Sequence, residues 1–332
     1  MHLVWSDLLI TTLIYFVLAS GLNLIIGYAR ALSVHHAALF AIGAFTYATM
    51  ARHGWSRDLV VTGVVAAVIA GILSLLLAAG SLRTQGDYFI VASFAFQLVA
   101  VNLLFNWTAV SGGTFGVYNL PSPSVLGVTI GTAAAFIVVA GLLAAGTLGL
   151  VLWLGRGPFG RLARAMGQSE SAVAAAGFSV LRVRGSVFVL AGMLAAAAGA
   201  LYGGYIGIAF ANSFDVQLSI MVAAMVVIGG AGSVVGTILG AALLTVIPAL
   251  LSTANINQDV AGSLQQLIFA VMLIVVMIAL PDGLAALPKT VARGLAGLLR
   301  PGRAHRSGPT RPATADFRAR QGVVGSGARH GD

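Results

Sequence analysis

GRGPFGRLARAMGQSESAVAAAGFSVLRVR, residues 155–184, is the longest hydrophilic stretch in the first 280 residues of the chain, and the sequence on both sides of it is apolar. It holds Arg156, Arg161, Arg164, Arg182 and Arg184 together with the only glutamate of the chain, Glu170. The flanks consist of repeated apolar runs long enough to cross a bilayer. In lipid each peptide group must be hydrogen-bonded within its own segment, so crossing takes helices of about 20 apolar residues. A polar stretch set between such spans is where a membrane protein meets something soluble.

Composition points the same way. Of 332 residues 59% are hydrophobic and 8% charged, whereas a soluble domain is about one-quarter charged. Barrel strands would alternate polar and apolar residues, and these runs do not. The fold class is therefore an all-α polytopic membrane protein with about nine transmembrane helices, within a range of about eight to ten. The net charge of +9 would suit nucleic acid, but the basic residues are spread over loops and tail without aromatic interleaving. Orientation of the chain in its membrane explains them better. With no cysteine there is no disulfide and no thiolate metal ligand. The start, MHLVWSDLLI, has neither a basic leader nor a small-residue cleavage site, so the first apolar run is expected to stay as a span.

Outward from the opening stretch, the expected spans are 8–26, 59–80, 88–106, 126–154, 186–208, a run ending at Ile228, a second from the glycine cluster Gly229–Ser233 onward, and 261–280. Residues 32–51 are too polar for a lipid-facing helix and fit either a full span or a re-entrant half-helix. The segment after Asn106 is rich in Gly, Pro and Ser and reads as a loop with turns. Gly199, Gly203 and Gly207 recur every four residues, as do Gly232, Gly236 and Gly240. Small residues at that spacing let helix backbones approach closely in lipid. Helix packing is preferred for these glycines over a role along a substrate path. Residues 1–285 form the transmembrane domain, and 286–332 are a basic, disordered cytoplasmic tail.

Counting nine spans puts Arg30, Arg83, the five arginines of the opening stretch and the basic residues of the tail on the cytoplasmic side, leaving Arg52 and Arg57 outside. The protein is expected in a bacterial inner membrane, with residues 156–184 and the tail facing the cytoplasm.

No catalytic constellation emerges. The carboxylates stand singly at span ends and in loops, no GxxxxGK phosphate loop occurs, and the one lysine is Lys289. His35 and His36 are adjacent, and neighbouring side chains on a helix point about 100° apart, a poor pair for a metal. The chain is read as no enzyme, with no metal site and no cofactor of its own. Asn23, Ser33, His36 and Thr46 are the candidate path residues, because polar side chains inside spans face the bundle or an aqueous cavity. Within 159–184 two short helices are expected, around 162–166 and 172–176, with a break at Gly177.

Several stretches carry a resemblance: GLNLIIGYARALSVHHAALFAIGAFTYA (21–48), RTQGDYFIVASFAFQ (83–97), SGGTFGV (111–117), residues 160–203 and VIGGAGSVVGTILGAALL (227–244). Together, and in this order, they resemble the permease subunits of bacterial ABC importers for branched-chain amino acids, of the LivM type. The resemblance implies an ABC importer permease architecture and makes the opening stretch the coupling loop to an ATPase subunit, with Gly160, Arg161, Arg164, Glu170, Gly177 and Arg184 as its working positions. It implies as partners a homologous second permease subunit, two ATPase subunits that use ATP and Mg, and an extracytoplasmic binding protein, which the loop around Gly112, Gly113 and Gly116 would meet. The substrate class it implies is branched-chain or other amino acids. Urea or a short amide remains the alternative, as does a stand-alone gradient-driven carrier or channel. Three positions depart from the family pattern: His35 replaces a glycine, GQSE replaces a more charged run, and Thr237 stands where proline is common.

Overall fold

The computed structural model of the chain describes residues 2–84 and 87–252, together with the isolated positions 267, 270, 271 and 274. Apart from those four positions the expected span 261–280 lies outside the described residues, as does the tail 286–332, so the described part carries no count of all spans. Eleven α-helices occur among the described residues: α1 (His2–Leu24), α2 (His36–Arg52), α3 (Leu59–Arg83), α4 (Asp87–Asn106), α5 (Thr108–Ser111), α6 (Ala133–Arg156), α7 (Pro158–Gln168), α8 (Glu170–Ala175), α9 (Val180–Ile206), α10 (Val216–Gly229) and α11 (Val234–Ser252). Six described segments are long and apolar enough to cross a membrane. The protein is a multi-pass helical membrane protein.

α9 is the central helix, with α1, α2 and α3 packed around it. The α2–α9 crossing is close because glycines pave it. A Cβ on Gly43 would collide with the Ala196 carbonyl, and one on Gly199 with the Phe40 carbonyl. Gly203 lies against Ala44 in the same seam. On the opposite side α3 turns Val60, Val64, Val68, Ile72 and Leu75 outward, while its Thr62, Ser74 and Ser81 are buried. An aliphatic exterior over a polar-tolerant interior is the pattern of a helix bathed in lipid.

Two expectations are corrected here. Gly207 does not pack; it closes α9 at φ 70°, with open space beside it. Gly232 does pack, though from the turn before α11 at φ 82° and against Gly27 just after α1, while Gly236 and Gly240 meet α10: Gly236 at Gly229, and Gly240 at the Met225 carbonyl. The expected span from Leu126 also starts later. Residues 124–129 form a small hairpin, β1 (Ser124–Val125) with β2 (Val128–Thr129), and α6 begins only after Thr132, whose hydroxyl accepts the Ala135 N–H.

Residues 32–51, expected as either a full span or a re-entrant half-helix, combine an unwound start with a 17-residue helix. α1 ends in a π-helical turn, Ile25–Ala29, and Arg30 leaves it in the left-handed conformation. Residues 30–35 run without helix, and α2 then carries the chain to Arg52, next to the start of α3, whose far end at Ser81 returns to Arg184 at the start of α9. Segment 30–52 thus joins the two ends of the bundle, with residues 30–35 unwound. α2 itself, with 17 residues, is about 26 Å long.

Candidate functional site

Two polar regions stand out, one at each end of the unwound segment. The first is the opening stretch. Gly157 and Pro158 start α7, proline being suited to the first helical turn because its missing N–H would be unpaired there anyway. α7 is amphipathic: Gly160, Ala163 and Met166 are buried while Arg161 and Arg164 face outward. Gly160 sits where a Cβ would strike the Leu154 carbonyl in the last turn of α6. The Arg161 Nη1 donates to the Arg156 carbonyl at 3.1 Å and the Arg164 Nη2 to that of Gly155 at 2.9 Å. Both cations thereby serve the electron-rich C-terminus of α6. The Arg164 guanidinium also lies 5.2 Å from the centre of the Tyr28 ring, on the π-turn.

Ser169 breaks the loop into two helices, its hydroxyl accepting the Ala172 N–H at 3.2 Å to cap α8. After α8 the chain reverses at Gly177, φ 84°, and the Phe178 N–H reaches back to the Val173 carbonyl at 3.2 Å. That is a Schellman closure, which suits a glycine because a left-handed residue with a Cβ is strained. Ser179 then caps α9. Glu170 and Arg184, fourteen residues apart, meet in an ion pair of 2.5 Å, the arginine 8% exposed and the glutamate 37%. Arg184 also donates to the Ser81 carbonyl at 3.1 Å, in the last turn of α3. The loop is thus braced on α6, on α3 and on the π-turn. Between it, the π-turn and the start of α4 lies a cavity of about 590 Å³, lined by Arg30, Ser81, Thr84, Gln168 and Ser169 among others.

The second region is the start of α2. His35 occupies the capping position but gives no side-chain cap. The N–H groups are held instead by other helices: Val34 N–H by Ser93 of α4 at 3.0 Å, Ala37 N–H by Ser219 of α10 at 2.9 Å, and Ala38 N–H by the Gln97 Oε1 of α4 at 2.8 Å. Gln97 also donates its Nε2 to the Phe214 carbonyl at 2.8 Å. In contrast, Ser33, His35 and His36 are fully buried, and none of their side-chain polar atoms has a hydrogen-bond partner among the described residues. The His35 ring stacks on Phe188 at 11° and meets Phe96 edge-on. Leaving such groups unpaired costs roughly 1–3 kcal/mol each, so their presence calls for a purpose.

Of the four path residues expected from sequence, Ser33 and His36 lie together at this break. Asn23 does a different job, its Oδ1 accepting the Gly232 N–H at 2.7 Å to tie α1 to the α10–α11 turn. Thr46 is half-buried, well along α2. Sequence reading missed Ser93, Gln97 and Ser219. The signal was present, since Ser93 and Gln97 are polar residues four apart inside a span, and the rule that selected Asn23 selects them too.

The chain matches the family model described as branched-chain amino acid transport system / permease component over residues 4–277. It is 29% identical to the high-affinity branched-chain amino acid transport system permease protein LivM of Escherichia coli strain K12, over 86% of this chain and 70% of that one. The probable branched-chain amino acid transport permease protein LivM of Methanocaldococcus jannaschii is 25% identical over 86% of this chain and 92% of its own. A shorter match, 34% over 36% of this chain and 37% of the relative, is to the probable ABC transporter permease protein YphD of E. coli. No solved structure gives a significant match. With its family model covering most of its length and its bundle helical and membrane-spanning, the chain belongs to the branched-chain amino acid transport system permease components and is of the LivM type.

Proposed function

We propose that the chain is one permease half of an ATP-driven importer in a bacterial inner membrane. It pairs with a homologous second permease subunit, receives branched-chain or other amino acids from an extracytoplasmic binding protein, and is driven by two ATPase subunits that bind ATP and Mg. In this reading the chain crosses nine times, residues 1–285 form the membrane domain, residues 156–184 dock the ATPase in the cytoplasm and residues 286–332 form a cytoplasmic tail. The distribution of cations supports that orientation. Arg30, Arg83 and the five arginines of 156–184 lie at the end of the bundle that carries α7 and α8, while Arg52 and Arg57 lie at the other.

One observation carries the proposal: α7 rests directly on the π-turn that leads through residues 30–35 into the break at His35 and His36. Gly167 packs against the Tyr28 carbonyl and Arg30, and Arg164 covers the Tyr28 ring. Force applied to the loop therefore reaches the unpaired polar groups through the short segment from Tyr28 to His35. The outer surface of the loop offers the driver a handhold, since Phe178 is exposed between α8 and α9 and Leu181 is exposed in the first turn of α9. Glu170 serves as an internal brace: by pairing with Arg184 it keeps α8 from swinging away from α9, so a push is transmitted and not absorbed. Two conformations of the bundle, biased by contacts at the loop, alternate the access of Ser33 and His36 to either side. Those groups find hydrogen-bond partners in passing substrate, which explains why they are left unpaired when the path is closed.

The break offers hydroxyl, imidazole and amide groups and no fixed charge. Such a lining passes a zwitterion, and it also suits urea or a short amide, the second reading. Direct binding measurements on the cognate binding protein separate the two. The test of the whole proposal is uptake by the complex reconstituted in liposomes. It should require ATP, the ATPase subunits and the binding protein, and uptake by this chain alone along a gradient would refute it in favour of a carrier.

A further inference from the structure

The hairpin at residues 124–129 lies at the end of the bundle opposite the coupling loop. Val125 and Val128 pair across a two-residue turn made of Leu126 at φ 51° and Gly127 at φ 84°. Positive φ at both central positions is the signature of the type I′ turn, for which Asn-Gly is the favoured pair. Leucine at the first of them is strained, since its Cβ crowds the backbone in that conformation. The same leucine is 82% exposed, more than any other large hydrophobic residue described, and Val128 beside it is also exposed. Folding does not explain the choice. The turn would form more easily with asparagine, and the finger stands beyond the span. Its base is pinned at the level of the α3 cap, where the Ser124 N–H donates to the Arg57 carbonyl at 2.9 Å and Ser124 bridges Asp58. Pro123 lies over Gly204 near the end of α9, and the Tyr47 hydroxyl donates to the Pro121 carbonyl at 2.8 Å. A rigid base under a strained apolar tip has the form of a presented anchor.

Charge selects what it is presented to. Arg57 at the foot of the finger and Arg52 at the end of α2 are exposed cations. The carboxylates at this end are occupied within the chain: Asp58 accepts the Val60 N–H, and Asp7 accepts the Tyr205 hydroxyl at 2.5 Å. The surface that fits is an apolar pocket with an acidic rim on a soluble protein. We infer that the 124–129 hairpin is a docking finger for the extracytoplasmic binding protein, with Leu126 filling an apolar pocket on it and Arg57 and Arg52 meeting carboxylates around that pocket. This rests on the importer reading above, and it places the contact on the hairpin in addition to the loop around Gly112, Gly113 and Gly116.

Leu126→Asn gives a direct test, because asparagine suits the turn and keeps the hairpin formed while removing the anchor. In the full complex held in lipid nanodiscs, the affinity of the substrate-loaded binding protein should fall about tenfold or more for Leu126→Asn and stay near wild type for Leu126→Met. Arg57→Glu should slow association and flatten its dependence on salt. A photo-crosslinking residue at position 126 should yield an adduct with the binding protein. Unchanged affinity in Leu126→Asn, or an adduct only with lipid or with the second permease, overturns the inference. Failure of the wild-type complex to bind any binding protein would instead refute the importer reading itself, so the two failures are told apart.

Discussion

The stretch 155–184 and the α2 break are two polar regions of this bundle, and they treat their polar atoms differently. At the stretch, Arg161, Arg164 and Arg184 each donate to the carbonyl end of a helix, Glu170 closes on Arg184, and Ser169 and Ser179 cap the helices that follow them. At the break, the backbone is served by Ser93, Gln97 and Ser219 from other helices, while Ser33, His35 and His36 are buried without partners. A region whose polar groups are mostly paired, with the Arg184 Nε the one buried atom left over there among the described residues, is held in one arrangement. A region that leaves donors and acceptors unpaired gains when something else supplies the bonds, which is the property of a place that substrate passes. On the proposed reading the stretch is the lever and the break the passage, and the two are joined by the π-turn Ile25–Ala29.

The sharpest way to break this contrast is His36→Leu. If the unpaired imidazole serves the path, transport should fall about 100-fold, corresponding to about 2.7 kcal/mol of lost stabilisation, while thermal stability holds or rises by about 1–3 kcal/mol as an unpaired group is removed. Uptake measured beside the melting temperature of the purified complex decides it. A variant that loses stability and keeps transport would make the break an ordinary packing site.

Glu170→Ala attacks the other side of the comparison. It leaves the nearly buried guanidinium of Arg184 without its carboxylate, at a cost of roughly 1–3 kcal/mol with the glutamate partly solvated. The bundle should remain inserted and the loop should loosen, with coupled uptake reduced about tenfold and faster hydrogen exchange confined to residues 169–184. Full uptake in this variant would show that the brace is not part of the lever.

Much of this architecture could be read from the chain before any coordinates. Span-length apolar runs, the polar island and the two short helices with their reversal at Gly177 follow from local rules, because lipid forces helices and left-handed closures favour glycine. The Glu170–Arg184 pair could not be read, although both residues were singled out, since nothing local says that positions fourteen apart will face each other across a cap. The break was half legible: Ser33 and His36 stood out as polar residues in an apolar run, but their cappers came from α4 and α10. Pairings between helices depend on rotation and crossing angle, which periodicity does not carry. Asn23 shows the same limit in reverse. A polar residue in a span was rightly expected to face inward, yet what it meets is the backbone of Gly232 and not a pathway.

Gln97→Leu tests whether the borrowed cap matters to the break. It removes the side-chain bonds to the Ala38 N–H, which keeps its bond to the His35 carbonyl at 3.1 Å, and to the Phe214 carbonyl together, and about 1–2 kcal/mol of stability should go with them. The start of α2 should then fray, visible as faster exchange at residues 37–39, and uptake should drop by less than in His36→Leu. Gln97→Met, which loses both bonds at nearly the same volume, should behave as Gln97→Leu does if the bonds and not the packing are what matter.

The smallest effect expected is at Gly177, and it measures how stiff the lever must be. Alanine there would have to hold φ near 84°, which costs about 1 kcal/mol, whereas asparagine tolerates the left-handed region better and should recover part of that loss. Proline fixes φ near −65° and cannot make the reversal at all. If the loop transmits force as a rigid unit, coupled uptake should rank glycine, then asparagine, then alanine, then proline, while ATPase subunits still co-purify with the first three. Equal uptake across glycine, asparagine and alanine, with only proline defective, would mean that the reversal needs to exist but not to be stiff. The difference between the two polar regions would then lie in the break alone.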